Sequence, residues 1–233
     1  APDGVRSFKW SNDGNGFFFI AREAEPKSIK KRREIYGDIE YVDREYRCQC
    51  LFYVDLQKGI EKTTACWSLP KDLREKDNND NPEDKNKQET DDLALQLTPG
   101  ELHINSFDIS PQGDKIVFAA TPSPRAEDAQ YTDLYLLDIN SKEVQQLNIP
   151  HQGRKGKVLF SPDGANLCFT YSRDAKIYNN RLLAIFNLET QTISYPRIEI
   201  DENIYPLRWL ENGIAIDWRD KTNSCIGIVK ENG

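Results

Sequence analysis

The sequence predicts an all-β chain. It reads as a β-propeller of four-stranded antiparallel blades, an incomplete ring of about four blades over residues 1–233. Two recurring signatures and their spacing carry that reading. The first is an aromatic or apolar residue, then Ser, a Pro/Asn-Asp/Gln-Gly turn and a β run. It stands as Trp10-Ser11-Asn12-Asp13-Gly14 before Gly16–Ala21, as Ile109-Ser110-Pro111-Gln112-Gly113 before Lys115–Ala120, and as Phe160-Ser161-Pro162-Asp163-Gly164 before Asn166–Thr170. A degraded fourth copy runs Arg208-Trp209-Leu210-Glu211-Asn212-Gly213 into Ile214-Ala215-Ile216. The second signature is an apolar strand ending in Asp/Asn-aliphatic, followed by a polar turn: Leu51–Leu56, Leu134–Ile139 and Leu183–Leu188.

The spacing sets the period. Ser110 and Ser161 are 51 apart, Asp138 and Asn187 are 49 apart, and position 210 follows Ser161 by 49. Ser11 and Ser110 are 99 apart because the first unit carries insertions. Ser-Pro-Asp-Gly makes a tight reversal: Pro presets φ, Asp bonds back to the backbone, and Gly takes positive φ without a Cβ clash. Apolar runs on both sides make it a hairpin. After Asp138, the stretch Asn140-Ser141-Lys142-Glu143 supplies the next reversal before Val144–Leu147. Each unit therefore holds about four strands in about 50 residues, the period of a propeller blade.

Two segments stand outside the blade pattern. Residues 27–47 form a charged excursion within the first unit, opening with Lys27, Lys30, Lys31, Arg32 and Arg33. Glu34, Asp38 and Glu40 follow at once, so a solvated excursion is expected rather than a nuclear-localisation or anion-binding patch. Residues 71–92 hold nine acids, five bases and a single large apolar residue, Leu73. That insert is expected to be mobile, because it cannot bury enough apolar surface to offset ordering.

Composition narrows the class. The net charge of −7 argues against general nucleic-acid binding. The longest apolar runs are about five residues, such as Phe17–Ala21, against the roughly 20 that a membrane helix needs. Five cysteines (Cys48, Cys50, Cys66, Cys168, Cys225) are an odd number at irregular spacing. They fit reduced thiols in a cytoplasmic protein better than a disulfide framework. No secretory leader is visible and the chain has no Met, so a piece of a longer protein is expected.

No residues assemble into recognisable catalysis. His103 precedes a blade and reads as a structural contact, whereas His151, after Pro150, reads as solvent-exposed. Cys48-Gln49-Cys50 puts two thiols on one strand face, but a zinc site would need two more ligands. Gly-x-Ser-x-Gly, a P-loop and Gly-x-Gly-x-x-Gly are all missing, and Asp91-Asp92 lies in the polar insert. No catalytic, cofactor-binding or metal-ligating residue is assigned.

The repeats resemble a known family. Ser-Pro-Asp-Gly with its following strand, then Asp133-Leu134-Tyr135-Leu136-Leu137-Asp138-Ile139, is similar to TolB-like propeller repeats. Such repeats also form the amino-terminal propeller of prolyl-oligopeptidase-family serine peptidases. Three stretches look like the acylaminoacyl-peptidase and dipeptidyl-aminopeptidase branch: Trp10–Pro26, Lys30–Val54, and Leu95 through Ser110 to Pro124. The resemblance implies a domain rather than an activity. In that family the propeller caps a separate α/β-hydrolase domain with a Ser, Asp and His triad, and gates and orients peptides. No triad member matches here, so no catalytic residue carries over. The implied partners are peptide substrates and that hydrolase domain, and open blade edges add self-association. No cofactor, nucleic acid or membrane is implied. The alternative is a stand-alone TolB-like scaffold for protein contacts, and the missing ligand sets disfavour a sugar- or metal-binding propeller enzyme.

Overall fold

The computed structural model describes residues 4–37, 46–61, 93–151, 153–174 and 179–230. Four antiparallel sheets follow one another in chain order. The first blade holds β1 (Val5–Trp10), β2 (Gly16–Arg22), β3 (Gln49–Asp55) and β4 (Ala94–Gln96). The second holds β5 (His103–Ile109), β6 (Lys115–Thr121), β7 (Asp133–Asp138) and β8 (Val144–Gln146). The third holds β9 (Lys155–Phe160), β10 (Asn166–Tyr171), β11 (Leu182–Asn187) and β12 (Ile193–Ser194). The fourth has three strands: β13 (Tyr205–Leu210), β14 (Gly213–Asp220) and β15 (Asn223–Val229). The propeller architecture expected from the repeats is present. The first strands β1, β5, β9 and β13 neighbour one another across blades and so line the axis.

The first signature closes the β1–β2, β5–β6 and β9–β10 hairpins in the same way. Gly14, Gly113 and Gly164 each donate their N–H to the signature serine's carbonyl, at 3.0, 2.9 and 2.9 Å. Their φ angles are 72°, 77° and 78°, where a Cβ would be strained. The serine hydroxyls accept the N–H of Gly16, Lys115 and Asn166 at 3.0, 3.0 and 2.9 Å. Each turn also reaches the next. Asn12 Nδ2 donates to the carbonyls of Ser110 and Pro111, and Gln112 Nε2 to that of Asp163. The second signature works through its terminal side chain. Asp138 Oδ1 accepts the N–H of Asn140 and Ser141, and Asn187 Oδ1 accepts those of Glu189 and Thr190.

Alternation places apolar residues on both blade faces, so each interface between successive blades has its own core. Phe18, Ile20 and Leu51 of the first blade meet Ile104, Phe118 and Leu137 of the second. Val117, Ala119 and Leu134 then meet Phe160, Phe169 and Phe186 of the third. Cys168, Leu183 and Ile185 meet Trp209, Ile214 and Ile216 of the fourth. Among the described residues no such core joins the fourth blade to the first. The far face of the first blade carries Phe17, Phe19, Phe52 and Val54, with Phe8 60% and Trp10 53% exposed. The far side of the fourth leaves Ile226 and Ile228 74% and 51% exposed. The four blades thus stack in chain order through three interface cores.

The excursion between β2 and β3 opens as helix α1 (Lys27–Tyr36). None of its residues is buried, and it ends where the Gly37 N–H bonds the Arg33 carbonyl with φ of 74°. An ion pair of 2.8 Å joins Arg33 to Glu25. Most of this segment's second half, and the whole of 71–92, lie outside the described residues. Among the described residues no helix is long and apolar enough to cross a membrane.

Candidate functional site

The glycine turns occupy one end of the blades. At the other end, where the axial strands begin, each of those strands carries an irregularity. Val5 pairs Ala21 and Ser7 pairs Ile20, which leaves Arg6 as an extra residue. Ile104 pairs Ala120 and Ser106 pairs Ala119, which leaves Asn105 extra. Lys155 and Val158 pair Tyr171 and Phe169, so Gly156 and Lys157 oppose Thr170 alone. Pro206 pairs Ile216 and Arg208 pairs Ala215, which leaves Leu207 extra. A bulge breaks the strict two-residue alternation and re-aims side chains. Arg6, Asn105 and Lys157 all turn onto one cavity of about 950 Å³.

The 3₁₀ helix Ala126–Tyr131, on the β6–β7 connection, forms one wall of this cavity. Arg154, Arg181, Asn203 and Tyr205 bring in the third and fourth blades. Charge is unevenly spread. Among the described residues five lining side chains are cationic (Arg6, Arg154, Lys155, Lys157, Arg181) and one, Glu127, is acidic. Glu127 is held by Arg125 in an ion pair. Lys155 Nζ is buried against Asp133 Oδ1 at 2.6 Å. Burial pushes the Lys157 ammonium down in pKa, with Asp217 and Asp108 opposing the shift. Arg6 Nη1 donates to the neutral Gln49 Oε1 at 2.8 Å.

Among the described residues Arg154 and Arg181, like Arg6, have no carboxylate partner. Arg181 is fixed in place: its Nη1 donates to Tyr205 Oη at 2.8 Å and its Cζ lies 5.2 Å from that ring's centroid. Its N–H donates to Asn203 Oδ1 at 2.9 Å. Arg154 is held through its backbone. Its N–H donates to Ser172 Oγ at 3.1 Å, and its carbonyl accepts the Ser172 N–H at 2.9 Å. Arg154 is exposed overall, yet partial desolvation lowers its pKa, and the Arg181 charge lowers it further. Ser106 Oγ, buried in the cavity wall, has no hydrogen-bond partner.

Along the axis, Asp108 ties three blades together. Its Oδ1 accepts from Lys9 Nζ at 2.6 Å, and its Oδ2 accepts the Phe160 N–H at 2.8 Å.

The residues singled out from the sequence lie elsewhere. His103 Nδ1 accepts the Gln49 N–H at 3.2 Å, a structural contact as expected. His151 departs from the exposed position expected for it. Its Nε2 sits 2.7 Å from the Ser172 carbonyl, and its ring packs edge-on to Tyr171 at 4.8 Å. The tyrosines of the third blade cover it, a tertiary effect that its loop sequence does not signal. Among the described residues neither ring bonds a serine hydroxyl. Cys48 and Cys50 are free, buried thiols, and burial pushes Cys50 up to about 12. Asp91 and Asp92 lie outside the described residues. The cavity cations escaped sequence reasoning, though one signal existed: Arg6, Asn105 and Gly156 each stand five residues before a signature serine.

No family model matches the chain and no curated protein matches it. Solved structures do. A putative TolB from Agrobacterium tumefaciens aligns over 98% of this chain and 62% of its own, with 11% identity and a TM-score of 0.56. TolB from Acinetobacter baumannii aligns over 98% of this chain and 44% of its own, with 11% identity and a TM-score of 0.51. A puromycin hydrolase, solved as a serine-to-alanine mutant complexed with PGG, aligns over 96% of this chain. That alignment covers 29% of the hydrolase at 14% identity, with a TM-score of 0.59. At such identities the likeness establishes the fold alone, a propeller similar to those of TolB and of the puromycin hydrolase. The chain spans less than two thirds of each of these proteins.

Proposed function

We propose that this chain is a non-catalytic propeller domain that gates and orients peptides for a serine peptidase of acylaminoacyl or dipeptidyl type. Its hydrolase domain would lie outside these 233 residues. The observation that carries the reading is the cavity at the end where the axial strands begin. It is wide enough for a short peptide, and it is lined by charged and amide side chains from all four blades. The puromycin hydrolase likeness supports the same reading, because it covers under a third of a hydrolase with a blade array of this shape. Four free thiols among the described residues support a cytoplasmic setting.

The test has two arms. The chain alone should bind short peptides yet leave aminoacyl and acyl-aminoacyl chromogenic substrates intact. The reading frame beyond Gly233 should encode Gly-x-Ser-x-Gly. Turnover that survives repurification, or a stop codon directly after Gly233, would sink the proposal.

A second reading, a stand-alone TolB-like scaffold, is favoured by the apolar end faces, above all the exposed Phe8 and Trp10. Under that reading the chain self-associates or binds a protein partner through those faces. Light scattering over a concentration series would then show oligomers that Trp10→Lys dissolves.

A further inference from the structure

The cavity spends its charges unequally. Lys155 is neutralised by Asp133, and Lys157 lies near Asp217 and Asp108. The lining carboxylate of Glu127 is taken by Arg125. Arg154 and Arg181 keep their charges without an acidic partner among the described residues, although each repels the other. A concave site lined by one sign of charge concentrates its field on the opening. A guanidinium offers a planar fork of donors that fits a carboxylate with two parallel bonds. The Tyr205 hydroxyl and ring hold the Arg181 fork in a defined orientation before anything binds. Neutral groups stand beside it: Asn105, Gln130 and Asn203 can each give and take a hydrogen bond, as a peptide backbone requires. Ser106 Oγ, buried and without a bond, is a further polar atom on the same wall.

We propose that Arg154 and Arg181 form an anion subsite that captures the carboxylate of a short peptide, while Asn105, Ser106 and Asn203 contact its backbone. This deepens the peptide-orienting reading and rests on it. The carboxylate is the peptide's carboxyl terminus or an acidic side chain. Either would fix the direction in which the peptide lies along the axis.

Calorimetric titration of the full chain with three probes tests this: acetyl-trialanine with a free carboxylate, its carboxamide, and acetyl-Ala-Asp-Ala carboxamide. Charge-assisted bonds predict that amidation weakens binding by about tenfold or more. Recovery with the Asp probe assigns the subsite to acidic side chains, and no recovery assigns it to the terminus; both support it. Arg181→Gln should erase the difference between carboxylate and carboxamide, and Arg197→Gln, an exposed surface change, should keep it. Should Arg181→Gln melt early, Arg181→Lys decides, since a retained charge without the fork predicts an intermediate preference. Equal binding of carboxylate and carboxamide overturns the subsite and leaves the peptide-orienting reading intact. No binding of any probe overturns both.

Discussion

The two ends of the blades obey different rules. At the turn end, three copies of one hairpin repeat the same bonds to within about 0.1 Å, from the glycine N–H to the serine carbonyl. At the cavity end, every axial strand breaks register, and the side chains released there differ from blade to blade: Arg6, Asn105, Lys157 and Leu207. Regularity serves packing, since stacked blades need matched turns. Under the proposed peptide-orienting role, the irregular end would serve recognition, since it presents chemically different side chains from each blade. Both ends stand on the same interface cores, so perturbing core, turn and cavity in turn measures how separable the two rules are.

The largest effect belongs to the shared core. Phe118 is fully buried between the first two blades and stacks on Tyr135 with ring centroids 5.4 Å apart. Phe118→Ala should cost about 3–5 kcal/mol in urea denaturation, enough to loosen both ends together. A loss below about 1 kcal/mol would mean that the blades are not packed as described.

The turn end should respond next. Gly164 has φ of 78°, and an added Cβ would meet Gln112 Oε1 at 2.7 Å. Gly164→Ala should cost about 1–2 kcal/mol from backbone strain. Gly113, with φ of 77° and its nearest neighbour at 3.4 Å, should cost slightly less. Equal stability of Gly164→Ala and wild type would show that this hairpin tolerates another turn type.

Most of the turn end was legible in the sequence, because its physics is local: Ser, Pro, Asp and Gly act within six residues of one another. The cavity was not. Arg154 and Arg181 are 27 residues apart and become neighbours only once β10 pairs with both β9 and β11. Bulges also shift the alternation by which Arg6 and Asn105 would be sorted to a face. The five-residue offset from the signature serine was visible but carried no meaning until the register was known. The partial burial of His151 against Tyr171 and Tyr195 was hidden for the same reason.

Acid separates the ends on a finer scale. Burial lowers the His103 pKa, and the Arg6 and Arg22 charges lower it further. The unfolded chain therefore takes up the proton first as pH falls through the ordinary histidine range near 6.5. Stability tied to His103 is complete above that range and declines below it. The turn carboxylate Asp163 is lowered by its bonds from Ser161 and the Ala165 N–H, so its contribution fades only further into acid. Urea midpoints at pH 7.5 and 5.5 should fall with acid for wild type and fall less for His103→Gln. Parallel lines would remove His103 from the account.

The smallest stability effect should come from Arg154, one of the two arginines of the proposed anion subsite. Arg154→Gln removes an exposed cation that Arg181 repels, and it keeps both backbone bonds to Ser172. The lost packing of the arginine stem opposes the relieved repulsion. The net change should stay within about 0.5 kcal/mol of wild type, the range of substitutions that break no structural feature. Sites kept for binding commonly show this pattern, with like charges held together against the interest of the fold. Paired melts of Arg154→Gln and Gly164→Ala would therefore place the variants on opposite sides of about 1 kcal/mol. A loss above about 2 kcal/mol for Arg154→Gln would make the residue part of the scaffold and remove the contrast between the two ends.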